Sequence, residues 1–334
     1  MTVLRNAPHG TGIGANAEPG PRRGEWRSWH LHTATFAAPA VDDVVTQVLG
    51  PVAARLGLLD PDGPAWFFLR YWQGGPHVRL RIAGLTTAEA ATVESEAADR
   101  LHALDALVPE ARRLNQASYE HAVHPIAVAG EQGIPLRPGE LVTPGIHRAV
   151  YEPEYDRYGG QHLIGRSEHL FHSSSRTALR VCLARAGVRH ATLSGLEAMA
   201  AACSVLAEPR SPVDRIRFLQ AQRDQWTGWT RSADPVDSDT VAEHRRQLIN
   251  TARASVASLD RLGPQLRATL ERGDPRWSDW TTPLADALAD WAAELGPARA
   301  AEILGSHVHM TANRLGVAFG READIAAVLL ALLE

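Results

Sequence analysis

At 334 residues, with 45% hydrophobic and 22% charged side chains, the chain holds enough apolar material for one large domain or two ordinary ones. Its formal net charge of -4 argues against a surface devoted to nucleic acid or another polyanion and leaves room for a local basic pocket. Two cysteines, no secretory signal and no apolar run of membrane-spanning length exclude a disulfide scaffold and point to a cytoplasmic protein with buried thiols.

Residues 1–24 are rich in Gly, Pro and Arg without hydrophobic period, and are expected to form a flexible arm. One domain is expected over 25–334, sheet-rich over 25–165 and helical over 166–334. Trp26 to Phe36 alternates as a strand does, with Trp29, Leu31 and Thr33 on one side and His30, His32 and Ala34 on the other. No Cys or carboxylate cluster accompanies His30 and His32, so a hydrogen-bonded structural pair is expected there in preference to a metal site. Val41 to Leu58 has helical spacing behind an acidic turn at Asp42 and Asp43, with Gly50-Pro51 as a place for a kink.

Trp66 to Ile82 then reads as a hairpin about a Gly74-Gly75-Pro76 turn. Phe67, Leu69 and Tyr71 alternate with Phe68, Arg70 and Trp72, and Val78, Leu80 and Ile82 alternate with Arg79 and Arg81, so one face is apolar and the other aromatic and cationic. Two guanidiniums at i and i+2 project the same way and repel unless an anion lies between them; otherwise they are a solvated strand face. Thr86 and Thr87 cap an Ala-rich helix over about 88–107. Strand, helix, strand, strand, helix predicts an α+β fold, with a mixed or antiparallel sheet packed against helices.

Residues 113–150 are irregular, interrupted by Pro and Gly, and end in a strand near Gly145 to Tyr151. The following stretch, Tyr151-Glu152-Pro153-Glu154-Tyr155-Asp156-Arg157-Tyr158-Gly159-Gly160, concentrates ionisable groups on one loop, as either a surface ion-pair cluster or a site. From Arg166 onward the period is helical, with segments expected over 167–186, 193–207, 212–229, 239–262, 280–295, 302–315 and 322–333. In the sixth of these, Ser306, His309 and Asn313 share a face by spacings of three and four.

The hairpin Gly-Gly-Pro-His-x-Arg-x-Arg at 74–81, the loop at 151–160, the Glu168-x-x-Phe171 segment and the helix His309-Met310-x-x-Asn313-Arg314-Leu315 occur in the order that resembles the C-terminal elimination domain of class I lanthipeptide dehydratases. The resemblance runs from Trp29 to the end, and implies the stand-alone, split form found in thiopeptide biosynthesis. In that family a Ser or Thr hydroxyl of a ribosomal precursor peptide is esterified with glutamate from glutamyl-tRNA, and this domain removes glutamate to leave dehydroalanine or dehydrobutyrine. By motif position the resemblance implies Arg81, Arg79, Arg157, His309 and Glu154 as catalytic residues, and His77, Tyr158, Glu168 and Asn313 as substrate-binding ones. It implies no metal or cofactor. The implied partners are the leader and core of a precursor peptide and a separate glutamylating subunit, without membrane or direct nucleic-acid contact, and with a homodimer left open. A related activity is the alternative: thiopeptide pyridine synthases resemble this domain and join two dehydroalanines by a formal [4+2] cycloaddition. A non-catalytic peptide-binding subunit is the third reading.

The residue types suit elimination independently. A serine hydroxyl leaves poorly, whereas a carboxylate, with a conjugate-acid pKa of about 4, leaves readily. What remains is to hold an anionic leaving group and the enolate-like charge, which guanidinium donors do without titrating, and to move the Cα proton, for which histidine or a tuned carboxylate is suited.

Overall fold

The computed structural model describes residues 25–60, 62–130, 134–187, 190–207, 211–229, 238–318 and 320–334. The arm expected over residues 1–24 lies outside the described residues. The hydrophobic alternation of the first third produces strand β1 (Trp26–His32), strand β2 (Trp66–Tyr71) and strand β3 (His77–Ala83). With strand β4 (Gly145–Ala149) they form one antiparallel sheet in the order β2-β3-β1-β4. Gly74 and Gly75 take φ of 79° and 108° in the hairpin turn, a region that side chains with a Cβ avoid.

Between β1 and β2 the predicted helix is a rod in three parts: helix α1 (Ala38–Asp43), a π-helical stretch Val44–Leu49 and helix α2 (Gly50–Arg55). Pro51 cannot donate a backbone hydrogen bond, and the wider turns before it keep Val44, Val45, Val48 and Leu49 all buried. Helix α3 (Thr87–Asp105) starts with a capping box in which Thr86 Oγ1 accepts from the Glu89 amide and Glu89 accepts from the Thr86 amide. The supposedly irregular stretch contains helix α4 (Gln116–Ala129), capped by Asn115 and carrying Pro125 in its interior.

The second half is helical: α5 (Ile164–Ala184), α6 (Ala191–Ser204), α7 (Arg215–Trp229), α8 (Ser238–Ala257), α9 (Leu262–Arg272), α10 (Ser278–Leu295), α11 (Pro297–Arg314) and α12 (Arg321–Leu333). The single helix expected over 239–262 ends at Ala257, and α9 follows as a separate element. Among the described residues no helix is long and apolar enough to cross a membrane.

One continuous apolar core joins both halves, from Trp29, Phe68 and Leu80 of the sheet to Leu179, Trp291 and Ile303 of the helices. The outer edge of β2 is sealed by helix side chains. His172 Nδ1 lies 3.2 Å from the amide nitrogen of Trp66, the Phe68 amide donates to Ser175 Oγ at 3.2 Å, and Arg70 exchanges two 2.9 Å backbone hydrogen bonds with the Asn313 amide. A strand edge that would otherwise expose unpaired groups is thereby closed and fixed against α5 and α11.

Candidate active site

The register of the hairpin sets the site. Phe67 pairs with Arg81, Leu69 with Arg79 and Tyr71 with His77, so these six side chains share one sheet face, next to Ser28, His30 and His32 of β1. Arg70 stands on the opposite, apolar face and leaves it by reaching Asp42 and the Arg314 carbonyl oxygen.

At the Arg81 end of this face the 151–160 loop closes over the sheet. A helical turn, in which the Arg157 and Tyr158 amides donate to the Glu154 carbonyl, sets Glu154 and Arg157 side by side, with Glu154 Oε2 3.1 Å from Arg157 Nη1. Gly159, at φ 87°, passes so close to Leu163 and Leu295 that a Cβ there would lie 2.9 Å from each side chain. Arg157 Nε also donates to Ser306 Oγ of α11 at 3.3 Å, and Arg299 of α11 donates to the Asp156 carbonyl.

The result is a cleft of about 320 Å3, counting the part open to solvent, lined by Phe67, Leu69 and Arg81 from the sheet, Tyr151, Glu152, Glu154 and Tyr158 from the loop, and Phe171, Met310 and Arg314 from α5 and α11. Two cations form its buried wall. Arg81 Nε and both Nη atoms of Arg314 are buried without a hydrogen-bond partner among the described residues; Arg314 uses only Nε, which donates to Ser175 Oγ at 2.8 Å. Arg81 lies over the Tyr151 ring, 4.6 Å from its centroid. Burial, with Arg79 beside it, lowers the Arg81 pKa to about 10, and burial lowers that of Arg314 to about 9. Both remain charged near neutrality. Burial pushes the Tyr158 hydroxyl up to about 12 and holds that of Tyr151 well above its ordinary range.

Of the residues expected from sequence, Arg81, Glu154 and Tyr158 line this cleft and Arg157 is bonded to Glu154 at its edge. Glu168 stands behind it, hydrogen-bonded to Tyr151 and Trp26, with its carboxyl raised by burial. Arg79 lies one pleat repeat along β3, 3.5 Å over the Tyr71 ring, and its Nε donates to His77 Nε2 at 3.3 Å. His309 is not among the lining residues. Its Nδ1 is 2.7 Å from Glu322 Oε1 and its ring stacks on Trp226, whereas Met310, the next residue but on another side of the helix, lines the cleft, and Ser306, three residues before His309, reaches Arg157 at the cleft edge. Asn313 spends its amide on the Arg70 backbone, away from the cleft lining.

Sequence reasoning missed Arg314 and Glu322 as candidate residues. The available signal for Arg314 was a charge in the apolar stripe of α11, in line with Ile303, His307 and Thr311.

His77 joins the His30/His32 pair, and one ring nitrogen from each lies within 4.8 Å of the others. The grouping does not have the character of a chelating set. The His77 ring stacks on both neighbours, and its Nδ1 and Nε2 are occupied by the Gly75 carbonyl and Arg79. Burial depresses all three, to about 4 for His30, 3 for His32 and 2 for His77, with Arg79 adding to each. A dication would sit in the same positive field. A second cleft, beside α1 and the end of α3, is mainly apolar, and its one arginine, Arg112, is exposed.

The sequence model of the family described as lantibiotic biosynthesis dehydratase C-term matches residues 26–333. No curated protein matches the chain. Among solved structures, the pyridine synthase TbtD from thiomuracin biosynthesis is similar at 17% identity and a TM-score of 0.64, over 92% of this chain and 97% of that one. TsrL is similar at 14% identity and a TM-score of 0.58, over 93% and 94%. The tRNA-dependent lantibiotic dehydratase MibB from Microbispora sp. 107891 gives 21% identity and a TM-score of 0.50 over 95% of this chain, which spans 28% of the MibB chain. At these identities the likeness to the three structures is one of fold.

Proposed function

This chain belongs to the family of lantibiotic biosynthesis dehydratase C-terminal domains, and we propose that it eliminates glutamate from glutamylated Ser or Thr of a ribosomally made precursor peptide. The observation that carries this reading is the pair of buried guanidiniums, Arg81 and Arg314, which line one cleft and hold donors without a partner among the described residues. Burying a cation without a counterion costs several kcal/mol, on the order of the desolvation penalty for one ion. That cost is offset when an anion arrives, and the glutamyl group becomes one as it leaves.

The leaving group fits the whole lining. An ester derived from glutamyl-tRNA joins the α-carboxyl to the Ser or Thr oxygen, leaving a free ammonium and a free side-chain carboxylate. The wall of Arg81 and Arg314 suits the carboxylates, and Glu152 with Glu154 suits the ammonium. In the reaction the Cα–H bond breaks, its electron pair forms the Cα=Cβ bond, and the Cβ–O bond breaks to release glutamate. Arg157, oriented by Glu154 and Ser306, supplies a further donor at the cleft edge, and His309 is the proton-transfer candidate on α11.

A second reading is favoured by the comparisons. The pyridine synthase is matched over nearly its whole length, and this likeness in fold backs a formal [4+2] cycloaddition of two dehydroalanines better than it backs elimination. The cationic wall weighs the other way, because joining two dehydroalanines releases no glutamate. Purified protein should be offered a glutamylated peptide and, separately, a multiply dehydrated azole-containing peptide, with products read by mass spectrometry. Consumption of the first with release of glutamate is the expected outcome. Consumption of the second alone would replace elimination by cycloaddition, and consumption of neither would leave a peptide-binding subunit.

A further inference from the structure

The geometry points to Glu322 as a positioning residue that fixes the tautomer and orientation of His309, leaving Nε2, which lies outside the cleft lining, as the ring nitrogen open to exchange a proton with the part of a peptide that extends beyond the cleft; this assignment of a role rests on the elimination reading. Glu322 lies in the first turn of α12, where the helix N-terminus favours a carboxylate. Its Oε1 accepts from His309 Nδ1 at 2.7 Å, and its side chain is 4% exposed. Trp226 stacks on the imidazole with ring centroids 4.5 Å apart, so the ring is held by a carboxylate and an aromatic face together. His309 Nε2 makes no hydrogen bond among the described residues, and the side chain keeps 20% of its exposure.

A merely structural acid accounts poorly for this arrangement. Glu322 Oε2 is buried with no partner among the described residues, and an unsatisfied buried carboxylate oxygen is a cost that stability alone does not explain. A carboxylate on Nδ1 instead does two things for proton transfer. It selects the Nδ1–H tautomer, and it stabilises the imidazolium formed when Nε2 takes the proton.

The test uses the full chain labelled with 15N-histidine, with the His309 signals identified through a His309→Gln variant. In the wild type, long-range 15N–1H correlations should show Nδ1 protonated and Nε2 as the bare nitrogen. A wild-type His309 protonated on Nε2 alone would overturn the proposal, whether or not any variant folds. On glutamylated peptide, Glu322→Gln should lower kcat at least about tenfold with KM within about twofold, and Glu322→Asp should restore part of the loss. A folded Glu322→Gln protein with unchanged kcat would overturn it. If no glutamylated peptide is consumed by the wild type, the elimination reading fails, while the tautomer measurement still decides whether Glu322 sets His309.

Discussion

Arg314 separates stability from function within one side chain. It is 1% exposed, stays charged near neutral pH and carries two donor nitrogens with no partner among the described residues, so it weakens the fold unless an anion occupies the cleft. Arg314→Met should therefore unfold at an equal or higher temperature, with a gain on the order of 1–3 kcal/mol, while elimination falls about 100-fold or more. Thermal melts and glutamate release measure the two together, and a Met variant that keeps its activity would remove Arg314 from the anion wall. His309→Ala should fold normally and accumulate glutamylated peptide in a coupled assay with the glutamylating enzyme; loss of peptide binding without that intermediate would reject a proton-transfer role. Arg81, Glu154 and Arg157 were legible because charges crowded into a strand and a loop stand out from their surroundings. Arg314 and Glu322 were not, because one is a single charge in a helical stripe and the other looks like an ordinary first-turn acid. Only tertiary contact gives either its meaning.

At the scale of elements, the hairpin and the order of strands and helices could be read from alternation and period, since each strand has one buried face. Helix α4 could not, because Pro125 and the Pro and Gly that follow it mask a helix held by its Asn115 cap and by the buried Tyr119 and Val123. The π-helical stretch and the break before α9 each fall at a Gly-Pro pair, Gly50-Pro51 and Gly263-Pro264, which marks an interruption in the sequence without giving its geometry. The sheet face carries a pH response. His30, His32 and His77 have native pKa values near 4, 3 and 2, below the ordinary 6.5, so the unfolded chain binds more protons once the pH drops below about 6.5. Their contribution is fully present above that pH and is lost progressively as the pH falls from about 6.5 through about 4 for His30, 3 for His32 and 2 for His77, on the order of 2 kcal/mol by pH 5 for deeply buried His77 alone. Urea unfolding at pH 7 and pH 5 should show this fall. A His77→Gln variant should show a smaller one, and an equal slope would assign the effect to other groups. The sealed edge of β2 gives a separate prediction: Asn313→Ala leaves the Arg70 amide and carbonyl without partners and should cost about 1–3 kcal/mol in the same measurement.

Across the whole molecule, the cleft exists only where the two halves meet. Arg81 comes from β3, Glu154 and Tyr158 from the loop after β4, and Met310 and Arg314 from the second-last helix, more than 150 residues along the chain from the loop. The same seam closes the sheet, because His172, Ser175 and Asn313 satisfy the outer edge of β2, and Phe171 packs on Phe67. Without α5 and α11 the sheet would expose that edge together with the apolar rings of Trp66, Phe67 and Phe68, all buried in the full chain. A fragment covering residues 25–163 is therefore expected to aggregate or remain without fixed tertiary structure, although it contains all four strands found among the described residues. The intact chain should lose its near-ultraviolet and far-ultraviolet circular dichroism in one coincident transition. A soluble 25–163 fragment with a cooperative melt would show that the sheet stands alone and that the helices merely complete the site. Coincident loss of both signals, with Asn313→Ala shifting them together, would instead show that the contacts building the cleft are also those that hold the fold.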